Sequence, residues 1–305
     1  FFNIHETSMR QQILTISLCC VFILSALSDV LSQPLHRTDL SNLRVNAFAQ
    51  DSLGYIWIAT ANGLCKSFGE SYDVFFYDEA DEHSIPSNLI TGLYVDDASK
   101  LWISTGKGIC SMARGKYEFH RYSQSTSTGM ESFFLGFVQY AGRIYTYGYN
   151  GLYEIDEKNK TLIPRIEVDR QVIYGAVTDS HGNLWLTNGA ELIKLDRSLS
   201  LISKIVVGRD DVVNCMVSDR EKILLGTENG IKLLDLHSLE ISDGDFPHAL
   251  DDLRINQMLP VDGGRKLLIS TRNKGALVYD METRDVISRY NNDEFADIPS
   301  VDINT

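Results

Sequence analysis

Cysteine is scarce where it would matter. Of five cysteines, Cys19 and Cys20 sit in an apolar N-terminal run, leaving Cys65, Cys110 and Cys215 for the rest of the chain. That number is odd, and no C-x-x-C or Cys/His metal spacing occurs, so neither a disulfide framework nor a structural zinc site is indicated. Free thiols buried in a core are the expectation. Proline is rare too, six against 22 glycines in 305 residues, which favours many tight turns over stiff linkers. Basic residues are outnumbered, 28 Lys and Arg against 41 Asp and Glu, for a formal charge of −13. A surface this acidic repels phosphate backbones and argues against nucleic-acid binding. No G-x-S-x-G, H-E-x-x-H or nucleotide-binding loop is present.

One long hydrophobic run exists. Ile13 to Leu27 carries no charge and follows the short basic segment Met9-Arg10-Gln11-Gln12. Small residues at Ala26, Ser28 and Ser32 allow cleavage after Ser28 or Ser32, the pattern of a secretory signal peptide. The run is short for a membrane span; an uncleaved N-terminal anchor is the alternative. Residues 1–32 are therefore set apart as leader and signal, with residues 1–8 upstream of the initiator Met9, and residues 33–305 are expected to be exported.

What fills that remainder is a repeat. The stretch DSLGYIWIATANGL around Trp57 recurs around Trp102 and Trp185, and in weaker form around Tyr145, Leu224 and Leu268. The spacings along this column are 45, 43, 40, 39 and 44 residues. Each copy opens with an alternating apolar segment, such as Val45-Asn46-Ala47-Phe48-Ala49, whose period of two predicts a strand. A turn follows, typed by Asp51, Asp96, Asp179 or Asp262 with Gly54, Gly182 or Gly264. A second strand carries the column residue and ends at Thr60, Thr105, Thr227 or Thr271. Asn62-Gly63, Asn150-Gly151 and Asn229-Gly230, with Gly108 in the same place, close a second hairpin into a third strand. A weaker fourth strand is expected, for example Tyr117 to Tyr122.

Four short antiparallel strands per repeat predict an all-β fold, a β-propeller of four-stranded blades. Six repeats are complete near Asn292, and Ile298 to Thr305 reads as the start of a seventh, giving a truncated seven-bladed ring lacking closure between its last and first blades. A blade cannot bury both faces alone, so the Trp57, Trp102 and Trp185 column is read as packing between neighbours. The turn aspartates are read as caps rather than metal ligands, since one carboxylate per turn does not converge. Cys65 and Cys110, equivalent in adjacent blades, are expected to be too far apart to bridge.

The pattern D-x-x-G-x-I-W-I-x-T-x-x-G-L, with FFYDEADEHSIPSNLIT at Phe75 to Thr91, resembles the two-component regulator propeller repeat. The likeness is specific in the first two copies, fair in the fourth and degraded in the others. It is similar to the periplasmic sensor half of the hybrid two-component systems of gut Bacteroidetes. The resemblance implies a non-catalytic, carbohydrate-sensing module that needs no cofactor. It further implies a homodimeric ectodomain, attachment to the inner membrane through parts beyond Thr305, and a parent sensor histidine kinase that controls transcription of polysaccharide-utilisation genes.

The residues alone leave three functions open: a sensor of an oligosaccharide or other small ligand, a carbohydrate-active lyase or glycosidase, and a protein-binding scaffold. No catalytic set stands out, because the seven histidines are scattered and none falls on an innermost strand. The carboxylate pairs Asp210-Asp211 and Asp251-Asp252 lead into successive innermost strands and read first as solvated loops. Loops leading into the first strands share a face with the Asn-Gly turns. On that face the ligand-binding candidates are Arg44, Asn88, Tyr149, Asn150, Tyr174, Asp211 and Arg254, with Asn42 beside them. Arginine and tyrosine at a channel mouth suit sugars or carboxylated sugars.

Overall fold

A computed structural model describes residues 35–37, 41–42, 44–68, 71–124, 133–208, 211–272 and 275–290. The apolar run Ile13–Leu27, Asp210 and the expected seventh-repeat strand at Ile298–Thr305 lie outside the described residues. No helix among the described residues is long and apolar enough to cross a membrane.

The described residues form five antiparallel-rich sheets that make six blades. Blade 1 adds a short strand β1 (Leu35–Arg37) to β2 (Val45–Gln50), β3 (Ile56–Thr60), β4 (Gly63–Phe68) and β5 (Ser71–Phe75). Blade 2 holds β6 (Ile90–Val95), β7 (Leu101–Thr105), β8 (Gly108–Met112) and β9 (His120–Gln124). Blade 3 is β10 (Phe134–Tyr140), β11 (Arg143–Asp156) and β12 (Thr161–Val172). Blade 4 comprises β13 (Gly175–Thr178), β14 (Leu184–Thr187), β15 (Glu191–Leu195) and β16 (Leu201–Val206). Blade 5 comprises β17 (Val213–Asp219), β18 (Lys222–Thr227), β19 (Gly230–Asp235) and β20 (Ile241–Ser242). Blade 6 comprises β21 (Ile255–Val261), β22 (Lys266–Thr271), β23 (Ala276–Asp280) and β24 (Asp285–Tyr290).

The column residues do pack between blades. Trp57 lies in a cluster with Ile90, Leu93 and Ile103 of blade 2, and Trp102 in one with Phe134, Phe137 and Ile144 of blade 3. Tyr145 meets Leu184 and Leu186 of blade 4, and Trp185 meets Val213, Ile223 and Leu225 of blade 5. Leu224 meets Ile255, Leu267 and Ile269 of blade 6. The ring then closes: Leu268 and Leu259 of blade 6 pack against a cluster holding Phe48, Ile58 and Val74 of blade 1. Each large side chain so buried contributes about 1.5–3 kcal/mol.

Closure between the sixth and first blades corrects the expected gap. Phe48 N–H donates to Gln257 Oε1 at 2.6 Å, and Asn256 Nδ2 donates to the Asn46 carbonyl at 2.9 Å. Innermost strand β21 thus lies directly against β2.

Three further differences have local causes. β1 pairs with β5 as an unexpected fifth strand, which covers the outer edge of blade 1. In blade 3 the second and third strands run together as β11, because the turn residue Tyr149 itself pairs with Val172 of β12. The fourth strand of blade 2 begins at His120 rather than Tyr117, since Phe119 N–H donates to the His83 carbonyl and its ring packs on Phe75. Blades 2 and 3 also share one sheet through a short parallel pairing of β12 with β9.

Candidate functional site

The turn aspartates turn out to hold the tryptophans. Asp51 Oδ1 accepts N–H bonds from Leu53 and Tyr55, each 3.0 Å, while its Oδ2 accepts the Trp57 indole N–H at 3.0 Å. Asp96 does the same for Ala98, Lys100 and Trp102, the last at 2.8 Å. Asp179 does it for His181, Asn183 and Trp185, again at 2.8 Å for the indole. Burial works against the Asp179 carboxylate, but bonds from Asn183 and Trp185 hold its pKa below the ordinary value. The tryptophan column is therefore more than apolar filling, and the turn aspartates more than caps. Where the column residue is Leu268, Asp262 instead binds Arg265 and Lys266.

The threonines at the strand ends shape the opposite turns. Thr60, Thr105, Thr227 and Thr271 hydroxyls donate to the carbonyls of Gly63, Gly108, Gly230 and Gly275 at 2.8–2.9 Å. Those turns touch the loops that lead into the innermost strands. Ala61 N–H donates to the Arg44 carbonyl, Tyr149 to Phe133, Glu228 to Val212 and Arg272 to Arg254. One face of the ring thus carries both sets of loops, as the sequence predicts.

On that face the ligand-binding candidates come from all six blades, and several have partners of their own. Arg44 is exposed, and its N–H is held by Asn42 Oδ1 at 2.8 Å. Arg254 occupies the equivalent place in blade 6, the neighbour of blade 1, and reaches Glu228 at 3.7 Å. Glu228 also takes Arg272 at 3.3 Å and Asn214 at 3.0 Å. Asp211 pairs with Lys232 at 3.3 Å and accepts from Asn229 at 3.1 Å. Asn88 is spent on the backbone, accepting from Tyr77 N–H at 2.6 Å through its side chain. Tyr149 is 49% exposed, edge-on to Phe133, and Tyr174 is 36% exposed. Asn150 belongs to β11, and its side chain lies outside the described set. Asp251 binds His248 at 2.9 Å, well apart in role from the Asp211–Lys232 pair. Among the described residues, no group of three or more His, Cys, Asp or Glu is arranged to hold a metal.

Sequence reasoning missed the polar lining of the channel. A bulge recurs near the start of β2, β6, β10, β17 and β21, at Val45/Ala47, Ile90/Gly92, Phe134/Gly136, Val213/Cys215 and Ile255/Gln257. In four of these strands the skipped residue turns a polar side chain to the next blade. Asn46 donates to the Ile90 carbonyl at 2.7 Å, Thr91 to Phe134 at 2.7 Å, and Asn214 to Ile255 at 3.0 Å. Asn256 of blade 6 donates in the same way to the Asn46 carbonyl of blade 1 at 2.9 Å. The signal was a polar residue at the second position of β2, β6, β17 and β21 (Asn46, Thr91, Asn214 and Asn256), whereas β10 has Leu135 there. None of Cys65, Cys110 and Cys215 is in a disulfide: Cys65 and Cys110 are buried as expected, and Cys215 is half-buried, with desolvation pushing its pKa up to about 12.

Comparisons with known proteins agree with this architecture. The family described as "Two component regulator propeller" matches residues 39–62, the first half of blade 1. No curated protein sequence matches the chain. Among solved structures, the extracellular domain of BT3049 from B. thetaiotaomicron, assigned as a hybrid two component system, is 19% identical with a TM-score of 0.66. That alignment covers 88% of this chain and 38% of the other, so the chain spans well under half the length of that domain. Virginiamycin B lyase from Staphylococcus aureus is 15% identical with a TM-score of 0.57, covering 81% of this chain and 87% of the enzyme. The WD40 propeller domain of Doa1 is 11% identical with a TM-score of 0.60, covering 85% and 86%. The chain is a β-propeller carrying a two-component regulator propeller repeat in its first blade, with the fold of the extracellular domains of hybrid two-component systems.

Proposed function

We propose that this chain is an exported, non-catalytic ligand-sensing module of a two-component signalling protein, and that its ligand is an oligosaccharide. The observation that carries the reading is the two-component regulator repeat in blade 1, set on a ring whose fold matches sensor ectodomains. The loop face of the ring supports it chemically: Tyr149 and Tyr174 offer aromatic surfaces, and Arg44 and Arg254 stand at equivalent places on adjoining blades. Aromatic rings with a few oriented polar groups are the usual makings of a sugar site. A bound ligand changes signalling only through different affinities for two arrangements of the parent protein.

The likeness to a lyase along most of its length keeps an enzymatic reading in contention. One experiment separates the two. The purified chain is screened by thermal shift against defined neutral and acidic oligosaccharides, and each stabilising sugar is then assayed for breakdown. At a hundredfold excess over Kd a ligand stabilises by about 2.7 kcal/mol, a shift of several degrees. Stabilisation without turnover, weakened by Arg44→Ala or Tyr174→Ala, is expected. Turnover overturns the non-catalytic reading, and no shift with any glycan overturns the sugar.

A further inference from the structure

A hollow of about 490 Å³ lies away from the channel, at the rim where blades 2 and 3 share their sheet. It is lined by Tyr77 and Pro86 of the loop between blades 1 and 2, Lys107 of the β7–β8 turn, Arg121 of β9, and Asn159 and Lys160 of the turn before β12. These six residues come from four separate stretches of sequence, and the last of them joins the others through the parallel β9–β12 pairing. That junction is fixed by the Ser123 N–H, which donates to the Lys160 carbonyl at 2.9 Å.

Charge sets this hollow apart. The chain is acidic overall, yet three cations face one cavity, and none of them has a carboxylate oxygen within 4.0 Å among the described residues. Arg121 is oriented entirely by neutral acceptors: its Nε donates to the Ser84 carbonyl at 3.1 Å, and its Nη2 to the Asp81 carbonyl at 3.1 Å and to Ser84 Oγ at 2.9 Å. The Tyr77 ring sits between charges, with Lys107 Nζ at 5.6 Å and Arg121 Cζ at 5.7 Å from its centre. Two cations gathered on one ring repel each other, and a ring quadrupole offsets that only in part. The remaining N–H groups of a pre-oriented guanidinium, with two lysines beside it, match an oxyanion. The exposed Tyr77 ring and Pro86 supply an apolar wall, and the Asn159 amide and Ser123 hydroxyl supply polar contacts. A cavity of this size falls in the range of small-molecule sites.

We infer that this rim hollow is a second ligand site, which takes a small organic anion whose carboxylate or sulfate is held by Lys107, Arg121 and Lys160. That the anion is borne on a sugar ring rests on the sensor reading above; recognition of the anionic group does not.

Isothermal titration of the purified chain in low-salt buffer tests this, with four probes: digalacturonate, a monosulfated disaccharide, its unsulfated parent and sodium sulfate. Lys107→Ala and Lys160→Ala are the informative variants, since both side chains are exposed and make no ion pair among the described residues, so folding is expected to be retained. The expected result is binding of at least one organic anion and none of the unsulfated parent at this site. Each lysine variant should weaken it by about tenfold, as loss of a charge-assisted bond implies. Arg44→Ala, on the channel face, should leave it unchanged, so failure here and failure of the channel-face reading give different results. Added salt should weaken binding. Binding of neither organic anion, or binding insensitive to both lysine substitutions, overturns the site. Sodium sulfate binding as tightly as the organic probes overturns the organic ligand and leaves a simple anion hole.

Discussion

Replacing Trp185 by Phe tests whether the repeat signature is a polar device or only apolar filling. Trp185 is fully buried and its indole N–H donates to Asp179 at 2.8 Å. Phenylalanine keeps most of the contact with Val213, Ile223 and Leu225 but cannot donate. A hydrogen bond to a charged acceptor contributes about 1.5–3 kcal/mol, and the small cavity left by the missing ring atoms costs roughly 1 kcal/mol more. The single substitution should therefore destabilise by about 2.5–4 kcal/mol. Asp179→Ala also removes the bonds to His181 and Asn183, so its own cost does not isolate the pair. The double-mutant cycle does: a coupling energy of about 1.5–3 kcal/mol is expected from urea unfolding followed by far-UV circular dichroism. A coupling below about 0.5 kcal/mol would refute the reasoning and return the column to packing alone.

Acid should reveal the same carboxylate. The Asp179 pKa is lowered in the folded chain, so its stabilisation is complete above the ordinary value of 3.8 and is lost as pH falls through the lower folded value. Asp179→Asn should flatten the stability profile in that acid window, read by chemical unfolding between neutral pH and about pH 2.5. Asn256→Ala should cost about 1–2 kcal/mol by leaving the Asn46 carbonyl without its partner, and an unchanged unfolding midpoint would argue against a closed ring. Gly151→Ala should abolish folding of blade 3, because a Cβ there would lie 1.8 Å from the Ile166 carbonyl oxygen at a φ of +133°. Gly54→Ala, with open space around it, should cost only about 1–2 kcal/mol from its left-handed backbone, so equal effects of the two on the thermal midpoint would contradict the geometry. Cys65, Cys110 and Cys215 should resist iodoacetamide in the native chain and label on unfolding, as peptide mass mapping would show; rapid native labelling of Cys215 would contradict its raised pKa.

Much of this protein was legible before any coordinates. Period-two alternation, Asp-Gly and Asn-Gly turns, and a large side chain every forty-odd residues specify blades, because each feature is local: a strand face, a turn geometry, one buried side chain. Trp57, Trp102 and Trp185 could be assigned to packing between blades for the same reason, and the structure places each of them so. The indole bonds to Asp51, Asp96 and Asp179 span six residues and were in principle readable too. They went unseen because an aspartate in a turn already has a sufficient local explanation.

What the sequence could not settle depends on groups far apart along the chain. Closure of the ring joins Asn46 to Asn256 and Phe48 to Gln257, pairs separated by 210 and 209 residues, and no local pattern sets how many blades bring the last onto the first. The candidate residues on the loop face share a side of the ring, as their strand positions dictate, yet Asp211, Asn88 and Arg254 are committed to neighbours that only packing supplies. The rim hollow is the clearest case. Tyr77, Arg121 and Lys160 read individually as an aromatic strand end, an outer-strand cation and a turn lysine, and they become a charged cavity only because β9 and β12 pair. Sequence by itself determined the blade, since a blade is built from contacts within forty residues; tertiary structure decided the ring and its sites, since both are made between blades.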